Sequence, residues 1–300
     1  MSYPPKIFVI VLQYNNSRDT IGCLESAKEL GYPETHIVVI DNASSIDHVN
    51  NIRFFVENQE KKDRITLIEN KTNTGYAGGN NTGIRFALKN KADYVLILNP
   101  DVRVKPNLLD EMLGAERLSP NVGLVGTGID EGDRIINCGK IEWLNPELRH
   151  EKQEIGNLLD KDCYIPGNTI LIKKSVIKKI GMLDEKYFLY FEDADFCQRA
   201  KREGFNLVTI QDALVNHSVS SSTSSLGSAL LLRYHYRNAH LFNSKNGPWY
   251  VKIALPFWSF YIIIKQLAKI VLSPRKRKIS KAILAGVTDF YKGRFGKIAA

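Results

Sequence analysis

The sequence is poor in cysteine. Cys23, Cys138, Cys163 and Cys197 are the only four in 300 residues, and no two are spaced CxxC. That argues against a zinc ribbon or a disulfide framework and leaves four reduced core thiols. A long uncharged apolar run is also missing. The longest, Ile253–Ile264, holds 12 residues, where a spanning helix needs roughly 20. The opening Met-Ser-Tyr-Pro-Pro-Lys has no charged segment followed by an apolar one, so no signal peptide is expected and a cytoplasmic location fits. No internal repeat or low-complexity tract stands out. Acidic residues all but vanish at one end: Lys245–Ala300 carries 12 Lys and Arg against a single acid, Asp289. The remainder holds 29 basic and 31 acidic residues, so the net charge of +9 belongs to the tail. The body has no cationic excess with which to follow a phosphate backbone, and no nucleic-acid partner is expected.

What is present is a series of short apolar runs: Lys6–Leu12, His36–Ile40, Ile65–Ile68, Tyr94–Leu98 and Val122–Val125. Runs of this length bounded by polar residues or glycine predict buried parallel strands. Helical segments are expected between them over Arg18–Leu30, Ala77–Lys89 and Pro106–Leu118. The alternation predicts an α/β fold with a mostly parallel, doubly wound sheet. Beyond about residue 130 the pattern turns irregular. A helix is expected over Asp193–Glu203, a strand over Leu214–Val219, a mobile Ser-rich loop over Ser218–Ser225, and helix from Leu226 onward. The expected organisation is a catalytic domain over residues 1–222 and a helical, basic extension over 223–300.

Ligands of such sheets sit beyond the carboxyl ends of the strands. Polar groups gather there after four strands in a row. Asp41 follows the second strand, where a carboxylate accepts from a base imide or a ribose hydroxyl, or simply forms a turn. Asn73–Gly83 carries four Gly and three Asn at the start of a helix, a pattern suited to close backbone approach and to an anion. It is neither GxGxxG nor a P-loop, so dinucleotide binding and ATP hydrolysis lose support. Asp101, after Asn99-Pro100, could hold a hard cation. Glu192, Asp193 and Asp195 follow the aromatic run Phe188–Phe191, so either they only favour a helix N-terminus or one is a general base in an apolar pocket. His217 ends a strand and is a possible metal ligand or a plain exposed residue.

Four segments together resemble the family 2 glycosyltransferases with the GT-A fold, and bacterial rhamnosyltransferase-like members in particular. They are Val39-Ile40-Asp41-Asn42-Ala43-Ser44, the Asn73–Gly83 loop, Leu98-Asn99-Pro100-Asp101, and Tyr190-Phe191-Glu192-Asp193-Ala194-Asp195. The resemblance implies a nucleotide-sugar pocket lined by Tyr14, Asp41, Asn73, Gly79, Asn81, Asn99 and Asp101. It implies a divalent ion, Mg²⁺ or Mn²⁺, on Asp101 and His217, with Asn99 standing where the family's metal motif usually has an acid. It makes Asp193 the catalytic base, with Glu192 and Asn168 on the acceptor side. The implied activity is inverting transfer of a sugar, rhamnose from dTDP-rhamnose foremost, to a glycan or lipid-linked acceptor in cell-surface polysaccharide synthesis. A UDP-sugar donor (galactose, galactofuranose or N-acetylglucosamine) or a silent nucleotide-sugar-binding scaffold are the alternatives. Pro248–Leu272 is apolar and rich in aromatics, and Arg275-Lys276-Arg277-Lys278 follows at once. Either this segment lies on an anionic membrane at the inner face of the cell, or it packs on the catalytic domain with an incidental basic surface.

Overall fold

A computed structural model describes residues 3–59, 64–130, 135–143, 147–151, 158–217 and 228–298, with the backbone alone for 211–214, 216 and 217. The first half alternates strand and helix: β1 (Ile7–Gln13), α1 (Ser17–Lys28), β2 (Thr35–Asp41), α2 (Ile46–Glu57), β3 (Ile65–Glu69), α3 (Gly75–Lys89) and β4 (Tyr94–Leu98). Then come β5 (Val102–Arg103), α4 (Leu108–Gly114), β6 (Val122–Asp130) and β7 (Ile135–Ile136). A small antiparallel sheet is formed by β8 (Cys138–Glu142), β9 (Glu147–Glu151) and β10 (Cys163–Tyr164). The chain continues through β11 (Thr169–Lys173), α5 (Lys174–Ile180), α6 (Glu192–Arg202) and β12 (Asn206–His217). Three helices close it: α7 (Ser228–Asn246), α8 (Trp249–Leu272) and α9 (Arg277–Tyr291).

The main sheet runs β3-β2-β1-β4-β11-β6-β12-β5, with β7 beside β6. The first four strands are parallel neighbours. Successive residues of β1 and β2 alternate between two cores. Phe8, Ile10, Val38 and Ile40 face one, while Ile7, Val9, Val11 and Val39 face the other. Both faces are covered, which is why these strands read as unbroken apolar runs. Each such buried side chain contributes about 1.5–3 kcal/mol, so a one-residue slip that exchanged the two faces would be opposed along every strand. The four cysteines are buried and form no disulfide.

One strand breaks the expected order. β11 is inserted antiparallel between β4 and β6, with Thr169 opposite Leu98. Its reversed direction brings the residues just before it, Gly167 and Asn168, to the carboxyl end of β4. The strand expected at Leu214 begins earlier, at Asn206. The Ser-rich segment and the 222/223 boundary lie outside the described residues. α7 is part of the core rather than laid over it: Ala239, Leu241 and Phe242 join the first apolar cluster, and Phe242 stacks on Trp143 at 5.5 Å between centroids.

Candidate active site

The strand order reverses between β1 and β4, and ligands of such sheets sit beyond the carboxyl ends of the strands flanking that point. Asp41 ends β2 and is almost fully buried. Gln13 Nε2, across the sheet on β1, donates to its Oδ1, and the Ser44 N–H donates to its Oδ2 at 3.0 Å. Both oxygens thus accept a hydrogen bond from inside the protein. Tyr14 follows at the same edge, half-buried. The sequence reading missed Asn42, which ties the next loop together. Its Oδ1 accepts from Asn70 Nδ2 and the Thr74 N–H, each at 3.1 Å, and its Nδ2 reaches Asn73 Oδ1 and the Gly75 carbonyl. Asn73 Oδ1 also accepts the Gly75 N–H at 2.8 Å.

Two positions of the Gly/Asn loop also have structural duties. Gly79 faces the sheet, and a Cβ there would meet Leu12 Cδ1 at 2.4 Å. It allows helix α3 to approach β1 closely. Asn81 is buried, with its amide donating to the Leu183 carbonyl and to Glu185, and its Oδ1 accepting the Leu183 N–H at 3.1 Å. It clamps the Leu183–Glu185 segment, with both amide hydrogens committed there. The start of α3 is also partly used: the Tyr76 N–H donates to the Phe188 carbonyl at 2.7 Å. Gly75 is required at that contact. Its φ is +76°, and a Cβ would stand 2.3 Å from the Phe188 oxygen.

The remaining candidates converge on Gly167. The Asn99 N–H donates to the Asn168 carbonyl at 2.8 Å, joining β4's end to β11's start. The Tyr76 hydroxyl donates to the Gly167 carbonyl, and the Gly167 N–H donates to Asp193 Oδ2 at 2.9 Å. Burial first, then the charges of Glu192, Asp193 and Asp101, push the Tyr76 phenol well above its ordinary range. Three parts of the chain, α6, the start of α3 and the segment after β4, therefore bring Glu192, Asp193 and Asp101 within electrostatic reach of Tyr76. Burial raises the Asp193 carboxyl, while the Ala194 and Gly167 N–H groups pull it back. Beside it Glu192 is pushed up to about 8, by burial foremost and then by the Asp193 charge. Its Oε2 is buried with no hydrogen-bond partner. Asp195, the third acid, is structural. Tyr187, Lys245, Asn246 and Arg199 all hold it, and although burial opposes its ionisation, the Arg199 and Lys245 charges keep it below the usual carboxylate range.

These shifts predict a stability signature. A carboxyl whose folded pKa lies near 8 favours the folded state below the ordinary glutamate value, and that contribution is lost as pH rises through about 8. Glu192→Gln is expected to flatten the fall of Tm between about pH 5 and pH 9, measured by calorimetry.

A divalent ion fits the donor set. Asp101 is buried at the carboxyl end of β4, and the β12 backbone sets His217 opposite Val102. The His217 side chain lies outside the described residues. Among the described residues no three His, Cys, Asp or Glu side chains gather as a cation cage. A hard ion held by one or two protein ligands and completed by substrate phosphates needs no such cage.

The sequence profile described as Glycosyl transferase family 2 matches residues 8–181, more than half the chain. The chain belongs to this family. As a family 2 glycosyltransferase it is 29% identical over 230 residues to a low-salt glycan biosynthesis hexosyltransferase, Agl10, of Haloferax volcanii, covering 71% of this chain and 68% of that one. It is 22% identical over 252 residues to the dTDP-rhamnosyl transferase RfbF of Shigella flexneri, covering 80% of each. Among solved structures, the mannosyltransferase PcManGT of Pyrobaculum calidifontis, in complex with GDP-Man and Mn²⁺, superposes with a TM-score of 0.59 at 16% identity over 98% of this chain and 89% of that one. The fold is GT-A, with a sheet in which six of nine strands point one way.

Proposed function

We propose that the enzyme transfers rhamnose from dTDP-rhamnose, with inversion, to a hydroxyl of a glycan or lipid-linked acceptor in cell-surface polysaccharide synthesis. The observation that carries this is the desolvated Glu192–Asp193 pair beside Tyr76, Gly167 and Asp101. Asp193 takes the proton of the acceptor hydroxyl. The acceptor oxygen then forms its bond to the anomeric carbon as the bond to the donor's diphosphate breaks, and the nucleoside diphosphate leaves with the electron pair. Gly167 N–H fixes Asp193 Oδ2, leaving the carboxylate oriented, and Glu192 stays protonated at neutral pH, sparing Asp193 a second adjacent charge. Asp101, with His217, would hold a Mg²⁺ or Mn²⁺ ion, which supplies positive charge to the diphosphate when bound. Asp41, Tyr14 and Asn73 flank the nucleotide side, and Asn168 the acceptor side. The rhamnosyl relative supports the donor. The basic, apolar tail supports a peripheral place at the inner face of the cell membrane. A silent scaffold has no use for carboxyls desolvated to this degree.

Calorimetric titration with dTDP-rhamnose and with UDP-sugars, with and without Mn²⁺, tests the reading. Metal-dependent binding of dTDP-rhamnose is expected. Preferential binding of a UDP-sugar would replace the donor, and binding of no donor by folded protein would overturn the transferase reading.

A further inference from the structure

We propose that α8 lies in the plane of an anionic bilayer and seats the enzyme there through one apolar stripe, an inference that rests on the peripheral placement proposed above. The helix has 24 residues, and an 18-residue stretch of it has a mean hydropathy of 1.4, long and apolar enough to cross a membrane. Its packing says otherwise. Val251, Leu255, Ser259, Ile262 and Gln266 are buried. Ser259 Oγ shares hydrogen bonds with His240 Nε2 of α7 at 3.1 Å and with the Tyr291 hydroxyl of α9 at 2.7 Å. Trp258 lies against His240, with centroids 4.3 Å apart. A spanning position would strip these polar and aromatic contacts from one whole side of the helix.

The opposite side faces outward. Trp249, Ile253, Phe257, Phe260, Ile264 and Val271 recur at three- and four-residue intervals with one seven-residue step at the end, and Phe257 and Phe260 are 74% and 66% exposed. Soluble proteins rarely leave such a stripe uncovered. Charge selects its partner. Lys252 and Lys265 border the stripe, and Arg275–Lys278 and Lys281 are exposed beyond its end. The one acid of this segment, Asp289, is buried and paired with Arg233 at 2.7 Å. The outer surface of α8 and α9 therefore carries only positive charge. A second copy docked by two-fold symmetry would set those cations against each other. An anionic lipid surface matches both features, taking the apolar side chains below the headgroups and the cations among them. Trp249 and Tyr261 suit the headgroup depth.

The test is co-sedimentation of the full chain with phosphatidylcholine vesicles, with and without phosphatidylglycerol. Binding to the phosphatidylglycerol vesicles alone, weakened by salt, is expected. The triple variant Phe257→Ser, Phe260→Ser, Ile264→Ser should bind them at least about tenfold more weakly, with an unchanged circular dichroism spectrum and unchanged transfer to a water-soluble acceptor. The proposal is overturned by absent binding, by equal binding of the variant, by a dimer that the variant dissociates, or by resistance of the bound protein to alkaline carbonate extraction. A chain that binds these vesicles yet transfers no sugar would refute the transferase reading and leave this surface standing.

Discussion

Asp193→Asn is expected to lower kcat by about 10²–10⁴-fold, the range a general base supplies, while leaving donor affinity unchanged. The substitution is nearly isosteric. An Asn carbonyl oxygen can still accept the Gly167 N–H now held by Asp193 Oδ2, so the joint between α6, Gly167 and Tyr76 survives. What disappears is the ability to take a proton. Single-turnover transfer and calorimetric donor titration on the same preparation separate the two effects. Turnover within a few-fold of the parent would remove Asp193 as the base and shift attention to Glu192, whose Oε2 stands unpartnered one residue away. Loss of donor binding would instead make Asp193 part of the donor pocket. A purely structural acid would behave like Asp195, which is wired to Arg199 and Lys245 and whose loss would lower stability before it touched turnover.

The sequence showed the parallel half of the sheet clearly, because strands covered on both faces must be apolar throughout. It also showed which strand ends carry polar groups, since the residues immediately after each apolar run are plain to read. Direction was not legible. Thr169–Lys173 has an apolar centre like that of β4, but nothing in five residues says that it runs backwards, and that reversal is what brings Gly167 and Asn168 to Asn99. The packing duty of the glycines went unread for a different reason. Gly79 and Gly83 are four apart, the spacing of one helix face, and both pack on β1 against Leu12 and Ile10. That periodicity was available, but a Gly-rich helix start draws attention to ligands. The separation of Asp193 from Asp195 could not be read at all. It depends on Lys245 and Asn246, some 50 residues away in sequence, reaching Asp195 through the C-terminal helices.

The same helices carry the second large effect. Asn238 on α7 is fully buried, and its amide donates to the carbonyls of Tyr187, Leu189 and Tyr190 at 2.8, 2.7 and 3.1 Å. Arg237 adds a bond from Nη2 to the Tyr187 carbonyl at 2.9 Å and one from Nη1 to the Gly296 carbonyl at 2.7 Å. The loop they grip is strained. Phe188, Tyr190 and Phe191 sit at φ of 64°, 71° and 74° without being glycine, each costing about 1–2 kcal/mol. Phe191 leads directly into Glu192 and Asp193, and the Phe188 carbonyl receives the Tyr76 N–H. Asn238 is thus a positioning residue for the carboxyl pair. Asn238→Ala leaves buried carbonyls unsatisfied and frees the loop to relax, at an expected cost of about 2–4 kcal/mol, or a Tm lowered by about 5–15 °C. Assayed well below that Tm, the folded variant should lose at least about tenfold in kcat with donor KM little changed, because the proposed base Asp193 is displaced while the proposed nucleotide side, built on β1 and β2, is not. A variant that melts earlier but turns over normally when folded would show that this grip serves stability alone.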